Sequence, residues 1–278
     1  MNIARIAALL EPFLERSLDP FQLDQISTYI DLLKRWNARI NLTAIRKEEE
    51  IVTRHFGESF FMARHLFPKG LEDASSMKDG LSVARAPSPA KAGSAQLPAI
   101  PQSPIPCHPE QSEGPHAPKT RHPERSRKNH SSGSQPHVLD IGSGAGFPAL
   151  PLKIWASQIH LTLIESNHKK ATFLREVSRT LILTDINVIT DRAEVAAKSP
   201  DIPGAEVVTL RAVEHFETIL PQAVAFLVPN ATLALLIGAT QLPHLNALTT
   251  LNWNPPIPIP QSQSRVLAIG RNNEVDIN

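Results

Sequence analysis

In the N-terminal quarter of the chain, apolar residues recur at spacings of three and four, the period of a helix with one buried face. Residues 3–16 carry a short version of the pattern. A stronger one begins at Asp19-Pro20 and runs through Leu23, Ile26, Ile30, Leu33, Trp36 and Ile40. Asp19 can cap this helix, Pro20 suits its first position, and Gln22 stands where a capping box puts its reciprocal partner. The spacing assigns Trp36 to the buried stripe rather than to an exposed base-stacking face. A third helix is predicted from Glu48 to Phe67, with Glu48, Glu49 and Glu50 in the first turn, where the helix dipole favours acids. His55, set among Ile51, Val52 and Phe56, reads as a hydrogen-bonded, partly buried histidine.

Periodicity stops at about Pro68 and resumes near His137. The intervening stretch is crowded with proline, serine and histidine and repeats a short piece, His108-Pro109-Glu110-Gln111-Ser112 and His122-Pro123-Glu124-Arg125-Ser126. It is too poor in apolar residues to offset its ordering entropy, so 68–136 is expected to be a disordered insertion. Cys107, His108, His116, His122 and His130 match no compact zinc spacing, and no metal site is expected.

From His137 onward, short apolar runs alternate with helical patterns, the signature of a parallel sheet wrapped by helices. Strands are predicted at Val138–Ile141, His160–Glu165, Asp185–Thr190, Glu206–Leu210, Thr232–Ile237 and Arg265–Gly270. Helices are predicted after Pro148, from Asn167 to Leu181 and from Glu214 to Phe226, and Asn254-Pro255-Pro256-Ile257 reads as a turn. Three regions result: helices over 1–67, the insertion over 68–136, and an α/β core over 137–278.

Composition narrows the function classes. The net charge of +1 provides no overall basic field, so nucleic-acid binding would need a local patch. A single cysteine rules out an intramolecular disulfide and suits a reducing compartment. No apolar run approaches the roughly 20 residues of a membrane span. A soluble, cytoplasmic monomer is expected.

The candidate chemistry centres on HVLDIGSGAGFPALPLKI, His137 to Ile154. An apolar run carrying Asp140 meets Gly142, Gly144 and Gly146, which lack a Cβ and so permit positive φ and close approach of a ligand. A dinucleotide fingerprint would be G-x-G-x-x-G. Here the third glycine comes one residue early, the form associated with S-adenosylmethionine (SAM) enzymes, whose cofactor has no phosphate. Glu165 closes the next strand, about 20 residues on, where an acid accepts the hydroxyls of a ribose or serves as a helix N-terminal acid. Arg211 ends the fourth strand and must find an anion or acceptor; the cofactor carboxylate and an RNA phosphate are the candidates.

These stretches, with WNARINLTAI (Trp36 to Ile45), RHFGES (Arg54 to Ser59), LIESNHKKATFL (Leu163 to Leu174), DRAE (Asp191 to Glu194) and LRA (Leu210 to Ala212), give the chain its resemblance. It resembles the bacterial guanine-N7 methyltransferases of small-subunit (16S) ribosomal RNA, also called the glucose-inhibited division protein B family. The resemblance implies a Rossmann-like SAM-dependent methyltransferase fold, a seven-stranded, mostly parallel sheet with an N-terminal helical extension. It implies SAM contacts at Gly142, Phe147, Ala193, Glu194 and Arg211, with Gly144 and Gly146 completing the turn and Arg211 the catalytic candidate that orients cofactor or RNA. It also implies that the N-terminal helices help to hold the 16S rRNA or small subunit. The sequence departs from the family at Glu58-Ser59, where the family has aspartate-serine, at Ile237-Gly238, where it has lysine-glycine, and at Val266 in place of histidine. The alternatives are a silent rRNA-binding relative, a SAM methyltransferase with another substrate, and a Rossmann dehydrogenase.

Overall fold

The computed structural model describes residues 1–68, 135–211 and 216–272, which fall in one compact unit. The repeated His-Pro-Glu pieces and the cysteine–histidine cluster lie outside these residues, as do Ala212 and Glu214.

The N-terminal region is helical as the spacing predicts. Helix α1, Ile3–Leu10, passes into a 3-10 turn, Glu11–Phe13, so the helix predicted to residue 16 stops early. Helix α2, Pro20–Asn37, starts in the expected capping box: Asp19 accepts from the Gln22 backbone N–H and the Gln22 side chain from that of Asp19, an arrangement worth about 1 kcal/mol. The third predicted helix is in three pieces: α3, Glu48–Glu50, a π-helical stretch, Ile51–Gly57, and α4, Glu58–Leu66. Single π turns inside helices are rare and gather at functional sites.

The core sheet has eight strands: β1 His137–Ile141, β2 His160–Ile164, β3 Ile186–Ile189, β4 Ala205–Arg211, β5 Leu227–Gly238, β6 Leu251–Trp253, β7 Ile257–Pro258 and β8 Arg265–Asn272. Seven follow one path, in the order β3-β2-β1-β4-β5-β8-β6, and the two-residue β7 joins β8. The first five are parallel, and β8 runs antiparallel to β5. β1 is buried along its whole length, which is why it reads as a nearly continuous apolar run. β6 and β7 were not legible, being too short for an alternating pattern; β7 takes up Ile257, the last residue of the turn predicted over Asn254–Ile257.

Helices α5 Ala149–Trp155, α6 His168–Thr180, α7 Ala193–Ala196 and α8 Phe216–Ala225 connect the strands. Chain order reverses direction between β1 and β4, which creates a crevice at their carboxyl ends. One apolar cluster joins Ile26, Ile30, Phe56 and Phe60 of the N-terminal helices to Leu150, Trp155 and Phe173 of the core. A second cluster, with Leu139, Leu220 and Leu233, fills the opposite face. Trp36 is partly buried against the first cluster, edge-on to Phe173 at 5.7 Å.

Candidate active site

The turn after β1 takes the left-handed conformation at all three glycines, with φ of 68° at Gly142, 53° at Gly144 and 85° at Gly146. Side-chain strain would accompany any other residue there. Backbone bonds from Gly142 and Ser143 to the Ile164 carbonyl tie the turn to β2. From the other side, the buried Tyr29 hydroxyl of α2 donates to the Ala145 carbonyl at 2.5 Å. A Cβ on Gly146 would meet that hydroxyl and come within 2.6 Å of Leu150 Cδ1, whereas one on Gly144 would meet nothing nearer than 3.6 Å.

A cavity of about 610 Å³ opens beside this turn, at the switch point of the sheet. Gly142 forms part of one wall, Asp191–Glu194 another, and Ile219 and Gln222 of α8 a third. Its volume lies within the range of small-ligand sites. Three of the predicted residues, Gly142, Ala193 and Glu194, therefore line one cavity. Glu194 also pairs with Arg192 at 3.5 Å on the surface.

Glu165 does two jobs at once. Its Oε2 accepts the Gly144 N–H at 2.8 Å, and its Oε1 accepts the Asn167 N–H at 2.8 Å, just ahead of α6. These contacts are those of a helix N-terminal acid that also braces the glycine turn, and they do not bear on the ribose role. Glu165 is buried and is not among the residues that line the cavity.

Phe147 and Arg211 lie towards the N-terminal helices. The Phe147 ring stacks between His55, at 4.6 Å, and Tyr29, at 5.3 Å, with Phe56 edge-on to it. His55 is half-buried as expected, with Nε2 against the Thr43 hydroxyl at 2.8 Å and a buried Nδ1 that has no partner. Burial, reinforced by the charges of Arg211, Arg54 and Arg265, pushes its pKa down to about 2, so the ring stays neutral. The acceptors that Arg211 meets are none of those named from sequence. Its guanidinium donates to the carbonyls of Arg54 and His55 and to Glu58 Oε2 at 3.0 Å.

Two buried acids were missed as site residues. Asp140 gives Oδ1 to the Thr209 hydroxyl at 2.6 Å, while its buried Oδ2 has no partner. Burial raises its pKa to about 7 against the opposing hydrogen bond from Thr209, while the Ser143 hydroxyl donates to its backbone carbonyl. Glu58 bridges Arg211 and Arg265; the available signal was one acid in the apolar run from Phe56 to Met62. Among the described residues, no group of three or more histidines, cysteines and acids is placed to hold a metal.

A family model described as rRNA small subunit methyltransferase G matches residues 22–72 and 126–253, more than half of the chain. The chain belongs to the rRNA small subunit methyltransferase G family. The matched ranges of this family include Glu58, the glycine turn, Glu165, Ala193, Glu194 and Arg211. A ribosomal RNA small subunit methyltransferase G of Roseiflexus castenholzii is 33% identical over 204 residues, 73% of this chain and 59% of that protein. One from Bacillus subtilis is 25% identical over 264 residues, 91% of this chain and 84% of that protein. The chain thus spans under two thirds of the length of the Roseiflexus methyltransferase G and most of the Bacillus one.

Proposed function

We propose that the protein is a SAM-dependent methyltransferase that methylates N7 of a guanine in small-subunit (16S) ribosomal RNA, working as a cytoplasmic monomer. The observation that carries this reading is the left-handed glycine turn, bonded to Glu165 and opening on the switch-point cavity. The residues present fit SAM. The Ala193–Glu194 wall suits an adenine; Glu165 for ribose hydroxyls and the unpartnered Asp140 Oδ2 for the amino-acid ammonium are buried carboxylates next to the turn, outside the cavity lining. Bound there, SAM supplies a methyl group on a sulfonium sulfur.

Guanine N7 already carries a lone pair and loses no proton on methylation. The protein therefore needs no general base or nucleophile, and its contribution is positioning and exclusion of water. The N-terminal helices, fastened to the glycine turn through Tyr29 and to Arg211 through Glu58, are the part suited to present RNA to this face. Among the described residues, no helix is long and apolar enough to cross a membrane.

The test is transfer of tritiated methyl from SAM to small subunits lacking the modification, followed by mapping of the labelled base. Label on a guanine N7 is expected. Label on another atom would replace the proposed substrate, and particle binding without label would favour the silent relative.

A further inference from the structure

Three guanidinium groups gather at the seam between the N-terminal helices and the sheet. Arg211 is the last residue of β4 and Arg265 the first of β8, the two strands that flank β5. Arg54 lies in the π-helical stretch and turns its carbonyl to Arg211. One carboxylate pairs with two of them. The Glu58 side chain is 2% exposed, and its two oxygens are divided between Arg211 Nη2, at 3.0 Å, and Arg265 Nη2.

The three guanidiniums face the Glu58 carboxylate and the charge of Asp140, which also acts on Arg211, while the neutral His55 adds no charge to the seam. The Arg211 side chain is 8% exposed, and its burial as a cation is offset by the Glu58 carboxylate and two backbone carbonyls. Donors remain for a further anion. Each guanidinium has five N–H groups, and the protein takes only some of them: Arg211 gives three bonds, and Arg265 gives its Nη2 to Glu58 and its Nε to Ser262 Oγ.

We propose that Glu58 is a positioning residue that fixes Arg211 and Arg265 as a two-armed clamp for one oxyanion, either the carboxylate of the cofactor or a phosphate of the RNA. The proposal rests on the methyltransferase reading and deepens it. Planar guanidiniums recognise oxyanions only when their forks are aimed. Glu58, supplied by α4 at the end of the π-helical stretch, does the aiming for both arms. A structural bolt between helix and sheet would show the same contacts, so the test must separate the two roles.

Calorimetric titrations of the full-length protein use S-adenosylhomocysteine, its decarboxylated analogue, and a small-subunit rRNA fragment at several salt concentrations. If the oxyanion is the cofactor carboxylate, Glu58→Gln weakens S-adenosylhomocysteine binding about tenfold and leaves the decarboxylated analogue unchanged. If it is a phosphate, the same variant weakens RNA binding instead, and Arg265→Gln lowers the salt slope by about one. In either case Glu58→Asp recovers part of the loss, and Glu58→Gln costs less in an Arg211→Gln background than alone, because only the Arg265 arm is left to release. Should Glu58→Gln fail to fold, Arg265→Lys carries the test, since a point charge cannot replace the fork. Unchanged binding of both probes in the folded variants, or full additivity with Arg211→Gln, overturns the clamp. A wild-type protein that binds neither probe removes the methyltransferase reading first, and the clamp with it.

Discussion

Asp140 shows how far one residue's environment exceeds its sequence context. In the sequence it is the acid of an apolar strand; in the fold it has one satisfied oxygen, one unsatisfied oxygen and a pKa raised to about 7. A raised carboxyl pKa makes its contribution to stability complete below the ordinary carboxylate range, and that contribution is lost as pH rises through about 7. Ligand binding has the opposite sign, because an ammonium selects the ionised form. S-adenosylhomocysteine should therefore bind more weakly as pH falls below about 7, by up to about tenfold per unit, with proton release on binding. Calorimetry in buffers of different ionisation enthalpy checks this, and Asp140→Asn should flatten the profile. A dissociation constant that is level from pH 6 to pH 8 in the wild type would contradict the role given to Asp140. Glu165 was legible as a helix N-terminal acid, but its bond to the Gly144 N–H was not, because it joins residues 21 apart in sequence. Arg211 was legible as a residue needing an acceptor, but the identity of that acceptor depended on a contact 153 residues away in sequence.

Among the elements, α2 carries two messages, and the sequence displays only one of them. The stripe from Leu23 to Trp36 is apolar and periodic, so the helix and its buried face were readable, while Ile40 falls beyond the helix end at Asn37. Beside the stripe, Gln22, Gln25 and Tyr29 donate to the carbonyls of Ile154, Leu181 and Ala145. These polar side chains hide from a hydrophobicity pattern because their value lies in distant backbone acceptors. The π-helical stretch was equally invisible, since it differs from α-helix in hydrogen bonding rather than in composition. The Tyr29 contact makes the glycine turn unequal along its length. Gly146→Ala forces both a left-handed alanine and a collision with Tyr29 and Leu150. Gly144→Ala incurs mainly the conformational cost, about 1 kcal/mol. Thermal unfolding and cofactor titration should thus show a mild loss for Gly144→Ala and a loss of several kcal/mol, with binding abolished, for Gly146→Ala. Equal effects would mean that Tyr29 does not brace the turn.

At the level of the whole molecule, the parallel strands and their order of appearance were legible because buried strands and amphipathic helices alternate with different periods. The joining of N-terminal helices and sheet in one apolar cluster was not, because a stripe announces that it is buried but not against what. That joining gives the site its two sides: a cavity between the glycine turn, Asp191–Glu194 and α8, and an arginine-rich seam held by Glu58. The central claim is that the first of these holds the cofactor. Its most direct measurement is photolabelling of the intact protein with 8-azido-S-adenosylmethionine, followed by peptide mapping. Saturable label, displaced by S-adenosylhomocysteine, is predicted on the peptides bearing Asp191–Glu194 or Ile219–Gln222. Label confined to the N-terminal helices, or none that S-adenosylhomocysteine displaces, would contradict it.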